Sequence, residues 1–280
     1  MYEHQHFCSY ICFWGTQNSA VDQALQRLPS VRKDGLQYRY GSADLFVFPP
    51  TINPLHRWFV DGQDKLLYFI QGEFYQECNV EKFIDAIKDQ RNQFVNEKKL
   101  SVFLQGLNGI FSGFILDVET GHSLHFSDRF GFGIQYLAQT SGGSVFSSSL
   151  WPFIDTPRLN GGINVDAIHD ILLFGYPLLD ETPFATVSVV LPGTITKLSG
   201  TNRKTIPYAT YERMRSPGSW TEIKERFREA FAQHFQSIRA LTKQDQFGLA
   251  LSGGHDSRVI LNAMLVNDVL PLPLVYMKFH

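Results

Sequence analysis

Residues 252–257 read Ser-Gly-Gly-His-Asp-Ser, where an apolar strand should give way to a helix. The preceding run, Phe247-Gly248-Leu249-Ala250-Leu251, is short and apolar, as a buried strand is. The following run, Arg258 to Leu265, sets Val259, Ile260, Ala263 and Met264 at helical spacing. A Gly-Gly pair between such elements permits a tight turn in which backbone N–H groups converge on one point. The helix N-terminus adds unpaired donors and a partial positive charge. Ser252 and Ser257 flank the turn and can donate to the same point. Asp256 does not suit direct anion contact; it suits a helix cap or a divalent cation that accompanies a polyphosphate. The combination predicts a site for phosphate, and for pyrophosphate in particular.

Rival phosphate motifs are missing: the chain has neither Gly-x-x-x-x-Gly-Lys-Ser/Thr nor a Gly-x-Gly-x-x-Gly after a strand. The segment resembles the SGGxDS loop of the ATP pyrophosphatase (PP-loop) superfamily. That resemblance implies ATP and Mg²⁺ as ligands, with Ser252, Gly253, Gly254, Asp256 and Ser257 around the pyrophosphate and Asp256 toward the metal. Leu251 and Met277 match strand-end positions that contact the adenosine in that superfamily. His255 stands where an apolar residue is usual; it is read first as a packing residue and second as one that approaches phosphate when protonated.

A chain of 280 residues suggests two domains, or one and part of another. Aromatic content of 14%, with 24 Phe, suits sandwiched sheets with bulky interior faces. A net charge of −2 gives no pointer to nucleic acid or to an anionic membrane. No apolar run reaches membrane-spanning length, and Met-Tyr-Glu-His-Gln-His is no signal peptide. Three cysteines make no disulfide framework, so a reducing cytoplasm is the expected compartment.

Strands are expected at Phe7–Trp14, Asp44–Phe48, Lys65–Ile70, Ile110–Asp117, Ser123–Ser127, Gln135–Ala138, Val145–Ser148, Val187–Val190, Thr194–Leu198 and Leu272–Phe279. Gln71 to Tyr75 reads as a turn or strand exit, and Glu119-Thr120-Gly121 as a hairpin turn. Helices are expected over Val21–Leu28, from Asn79 with Lys98-Lys99 closing it, from Asn164 to Leu173 before Gly175, and from Thr221. The polar stretch from Gly200 to Ser219 reads as an interdomain linker. Asp128-Arg129-Phe130-Gly131 reads as a tight turn, and Tyr38, Tyr40 and Trp58 as core or edge residues.

In order, these pieces resemble the glutamine-dependent asparagine synthetase family. Cys8 to Gly15 looks like its opening Cys-Gly-Ile strand, and Gln71-Gly72-Glu73-Phe74-Tyr75-Gln76 like its Asn-Gly-Glu-Ile-Tyr-Asn stretch. Leu107 to Phe114, Asp128 to Gly131, Val145 to Ser148, Phe174 to Pro177 and Leu191 to Gly193 match further motifs. The resemblance implies an α+β chain. A four-layer αββα N-terminal-nucleophile-like sandwich would span residues 1–205, followed by a linker over 206–219 and a partial α/β PP-loop unit over 220–280. The implied chemistry is adenylation of a small-molecule or peptide carboxylate by ATP, release of pyrophosphate, and attack by an amine. Relatives include β-lactam synthetases and peptide cyclases.

Departures sharpen the expectation. Glutamine hydrolysis in this family uses an N-terminal cysteine whose own amine is the base. Cys8 is the match, and it becomes terminal only if seven residues are removed. Gln71, beside Gly72, replaces the oxyanion-hole asparagine with a longer arm. The arginine and aspartate clamps for free glutamine have no counterpart, so no glutaminase activity is expected. His4, His6, Cys8 and Cys12 share strand parity but match no zinc module. One βαβ unit is too little for a whole PP-loop domain, so a longer parent protein or a relic is expected. The rival reading is a noncatalytic sandwich with a vestigial ATP loop. No nucleic acid or membrane partner is expected, and a Phe-rich sandwich can present a homodimer face.

Overall fold

The computed structural model describes residues 9–15, 35–48, 56–63, 65–75, 95–140, 143–154, 157–200, 202–210, 218–241, 247–252, 254–267 and 271–275. The chain divides into two compact units, Met1–Thr210 and Tyr211–His280.

The first unit is built on two antiparallel six-stranded sheets. One sheet runs β10 (Val187–Val189), β8 (Tyr136–Thr140), β9 (Gly143–Ser147), β1 (Ser9–Trp14), β3 (Ala43–Phe48), β2 (Leu36–Tyr40). The other runs β12 (Asn202–Pro207), β11 (Thr194–Ser199), β7 (Ser123–Ser127), β6 (Gly109–Asp117), β5 (Leu66–Phe74), β4 (His56–Gln63). Strand alternation sorts their side chains into layers. Tyr10, Cys12, Leu45, Val47 and Phe146 of the first sheet interleave with Leu67, Phe69, Phe114 and Leu116 of the second. Aromatic rings dominate this layer, with Tyr10–Phe69 centroids 4.5 Å apart and Phe114–Phe146 5.5 Å apart. The opposite parity of β5, β6 and β7 packs Tyr68, Ile70, Ile115 and Phe126 against Leu100 and Leu104 of helix α1 (Glu97–Gly106). The outer face of the first sheet carries Ile11, Phe13 and Val145, covered by Phe153 and Leu159 from the segment that includes the short helix α2 (Pro157–Asn160).

Several expectations change. Gln71 to Phe74 is no turn: β5 runs through it, paired with β6 as far as Phe74↔Gly109. Lys98 and Lys99 open a helix rather than close one, because Asn96 caps α1 and accepts from both of their amides at 3.0 and 3.1 Å. The polar segment after Gly200 is strand for most of its first half, since β12 pairs with β11 from Asn202 to Pro207. Helix α3 (Val165–Phe174) forms as its signals indicate, with Asn164 accepting from Ala167 N and Gly175 left-handed at φ 86°. Tyr38 and Trp58 pack edge to face at 6.0 Å against the central layer. The expected helices at 21–28 and from Asn79 lie mostly or wholly outside the described residues.

The second unit has helix α4 (Trp220–Leu241) and a parallel strand pair, β13 (Phe247–Leu251) and β14 (Pro271–Val275), joined through helix α5 (His255–Val266). Ser219 and Glu222 form a capping box at α4: Glu222 accepts from Ser219 N at 2.6 Å, and Ser219 Oγ from Glu222 N at 3.3 Å. Phe235, Leu249 and Met264 form its small core. No helix among the described residues is long and apolar enough to cross a membrane.

Candidate functional site

Two places collect polar groups. The first is one end of the layer between the sheets. Gln71, Ser112 and Ser127 lie side by side across β5, β6 and β7, in register and buried. Their parity matches Phe69, Phe114 and His125, so all three point between the sheets. Gln71 Nε2 donates to Ser112 Oγ at 3.4 Å, and its Oε1 is buried with no partner. One N–H of the amide is thus engaged by its in-register neighbour Ser112. Gly72 is held against β6: a Cβ there would lie 2.1 Å from Ile110 O, with φ at +154°. Its missing side chain serves strand approach.

A polar chain crosses the layer one row deeper. Ser123 Oγ lies 2.9 Å from His125 Nε2, and His125 Nδ1 lies 3.1 Å from Gln135 Oε1. Gln135 Nε2 in turn donates to Tyr10 OH. The carbonyl acceptor at Nδ1 fixes that nitrogen as the donor and Nε2 as the acceptor. Burial, first of all, pushes the His125 imidazole down to about 3, so it is neutral. The Ser–His–Gln order looks like a nucleophilic relay, but all three residues are fully buried and no reacting group reaches them.

Asp128 rims the same end. Its Oδ1 accepts from Phe130 N and Gly131 N at 2.8 and 2.9 Å, and Oδ2 from Gly133 N at 2.6 Å. Its backbone also ties to Phe111 O and Gly193 N. The Asp-Arg-Phe-Gly segment is therefore a buried junction of three strands' ends, more than a plain turn. Burial, then the charges of Glu73 and Asp128, raise the Tyr75 phenol above its ordinary range. Burial also raises the Cys12 thiol, which is inert on the inward face of β1. Cys8, the proposed nucleophile, lies outside the described residues, as do His4 and His6.

The second place is the start of α5. Ser252 Oγ and Ser257 Oγ lie 3.3 Å apart, and Ser257 is buried. Ser252 Oγ accepts from Gly254 N at 3.2 Å, while Ser257 Oγ faces Ser252 O and Gly254 O at 3.2 and 3.3 Å. Gly254 is the N-cap and makes no side-chain cap bond, so Asp256 is not the cap; it stands exposed in the first turn. Leu251 packs half-buried on the core of this unit. Gly253 and Met277 lie outside the described residues. The loop thus gathers two hydroxyls bonded to one another, a helix N-terminus and one exposed carboxylate within a single turn. These hard oxygen donors fit Mg²⁺. Among the described residues no cluster of three metal-ligating side chains occurs.

Residues 96–209 match the family model of the glutamine amidotransferase domain, so this part of the chain is glutamine amidotransferase-like. The matched stretch runs from α1 to the end of β12 and includes Ser112, Ser127, Asp128 and the His125 chain. Comparison with curated proteins returns no match. Among solved structures, the chain is similar to a glutamine phosphoribosylpyrophosphate amidotransferase from B. subtilis, complexed with ADP and GMP, at 11% identity, covering 96% of this chain and 65% of that one, with a TM-score of 0.46. It is also similar to a structure described as the allosteric regulatory enzyme of purine biosynthesis, at 11% identity over 95% of this chain and 65% of that one, with a TM-score of 0.44. The chain therefore spans about two thirds of the length of either.

Proposed function

We propose that this chain is the amidotransferase-like sandwich and first nucleotide-binding unit of an asparagine-synthetase-like, ATP-dependent amide-forming enzyme. In that reaction a carboxylate oxygen attacks the α-phosphorus of ATP, pyrophosphate leaves, and an amine then displaces AMP to give the amide. The acid and the amine are small-molecule or peptide groups. One observation carries the reading: the Ser252–Ser257 turn between β13 and α5, with its paired hydroxyls and free Asp256. Donors at a helix start suit a pyrophosphate leaving group. Asp256 and the serine hydroxyls would hold Mg²⁺, which neutralises the phosphates when bound.

In this reading the sandwich does not hydrolyse glutamine. The support is the missing arginine and aspartate clamps for free glutamine, with Gln71, one N–H of which goes to Ser112, in place of the asparagine beside a Gly72 that serves strand approach. The same observation favours the second reading, a noncatalytic N-terminal-nucleophile-like sandwich with a vestigial loop.

Binding of Mg·ATP separates the two. The expected result is saturable binding to the intact chain by calorimetry, weakened at least about tenfold, or about 1.4 kcal/mol, by Asp256→Asn and by Ser257→Ala. No binding to the wild type would sink the enzyme reading in favour of the noncatalytic one. Ammonia release from glutamine that Cys8→Ala abolishes would instead show a working, processed nucleophile.

A further inference from the structure

Helix α3 is apolar at seven of its ten positions, yet only Ala167 is fully buried. A helix this rich in apolar residues normally buries most of them in a core. Here Leu172 and Leu173 are 77% and 76% exposed, and Val165 is 59% exposed. The chain then turns back beside the helix and adds Tyr176 and Leu179, which are 60% and 82% exposed, and Ile163, before the helix, is 72% exposed. These exposed apolar side chains follow one another along one helix and the segments that flank it, a concentration that marks interaction sites on proteins.

The surface is stiff. Asn164 caps the helix, Gly175 closes it, and Leu178 N donates to Asp170 Oδ2 at 3.2 Å. Ile163 bridges to Phe184, and Glu181 accepts from Asn164 Nδ2 at 3.3 Å. Leu179 is held at φ +55°, a left-handed conformation that a bulky side chain rarely adopts, and it points a leucine outward.

Charge says what covers it. From Leu159 to Thr196 the sequence has no Lys or Arg, while Asp166, Asp170, Asp180 and Glu181 lie around the apolar surface. Among the described residues, only Asp180 of these four has an ion pair, with Arg203 at 2.9 Å. A second copy of this surface would bring acid against acid, and an anionic bilayer would do the same. We propose that the α3 surface is a docking site for an amphipathic helix of a partner protein, with an apolar stripe seated on Leu172, Leu173 and Leu179 and lysines or arginines flanking it toward Asp166 and Asp170.

The test uses the whole chain and two synthetic helical peptides of about 18 residues, long enough to span the surface. Both carry the same leucine stripe, and their polar positions are all Lys in one and all Glu in the other. The Lys peptide is expected to bind at least about tenfold more tightly than the Glu peptide, with an affinity that falls as salt rises. Leu172→Ser, an exposed change that leaves the core untouched, is expected to weaken the Lys peptide about tenfold. Asp166→Lys is expected to narrow the preference between peptides. Equal binding of the two peptides, or Lys-peptide binding indifferent to Leu172→Ser, would overturn the proposal. So would a concentration-dependent dimer of the chain that Leu172→Ser dissolves, since the occupant would then be a second copy.

Discussion

His125 departs far from the ordinary chemistry of a histidine. It sits in the dry layer between the sheets, its ring edge-on to Phe146 at 4.3 Å, with both nitrogens satisfied in the neutral state. Its pKa falls from 6.5 to about 3 because burial disfavours the cation. The folded state therefore binds fewer protons than the unfolded state between those values. This contribution to stability is complete above about pH 6.5 and is lost as pH falls toward 3. Urea titrations should show wild-type stability dropping with a slope that approaches about 1.4 kcal/mol per pH unit within that window. His125→Gln should flatten that slope, and an unchanged slope in the variant would assign the acid sensitivity elsewhere. At Asp128, three backbone donors converge on one buried carboxylate. Asp128→Ala strands them and should cost on the order of 3 kcal/mol, with Asp128→Asn in between because it keeps one acceptor oxygen. Neither role was legible in the sequence. Asp128 reads as a turn residue, and a buried histidine such as His125 carries no sequence pattern of its own.

At the scale of elements, the chain's local signals act where they stand. Asn164 and Gly175 bracket α3 at the positions their residue types favour, and Asn96 does the same at the start of α1. Asn164→Ala should cost about 1 kcal/mol in thermal or urea unfolding. It should also loosen the α3 surface, read as faster amide exchange over residues 165–174. Unchanged exchange there would mean that tertiary contacts, not the cap, hold the helix. The Lys98-Lys99 pair shows the converse. Position alone decides whether a charge meets the favourable end of a helix, and the boundary lay at Asn96, where Asn is a cap that outweighs two lysines in the first turn.

At the scale of the molecule, aromatic rings tie the two sheets together across the central layer. Phe114 touches Tyr10, Phe69, His125 and Phe146 across both sheets, within ring distances of 5.3 to 6.0 Å. Phe114→Ala should cost roughly 3–5 kcal/mol and lower the cooperative unfolding transition of the sandwich. A loss below about 1 kcal/mol would mean that the layer repacks around the gap.

The sequence by itself determined most interior strands, the Asn164 and Gly175 ends of α3 and the strand–turn–helix at 247–266, because each rests on local periodicity or on a residue type that fixes its own backbone. It did not reveal β2, β4 or β12, and all three lie at sheet edges. An edge strand has exposed positions on both faces, as along β2 and β12, so the alternation that betrays an interior strand is blurred. Only the tertiary structure decided which polar residues meet. Gln71 meets Ser112 through the β5–β6 register, and His125 reaches Gln135, and through it Tyr10, only because the two sheets pack face to face, joining residues up to 125 positions apart. Register is set by the packing of whole faces, and no local signal encodes it.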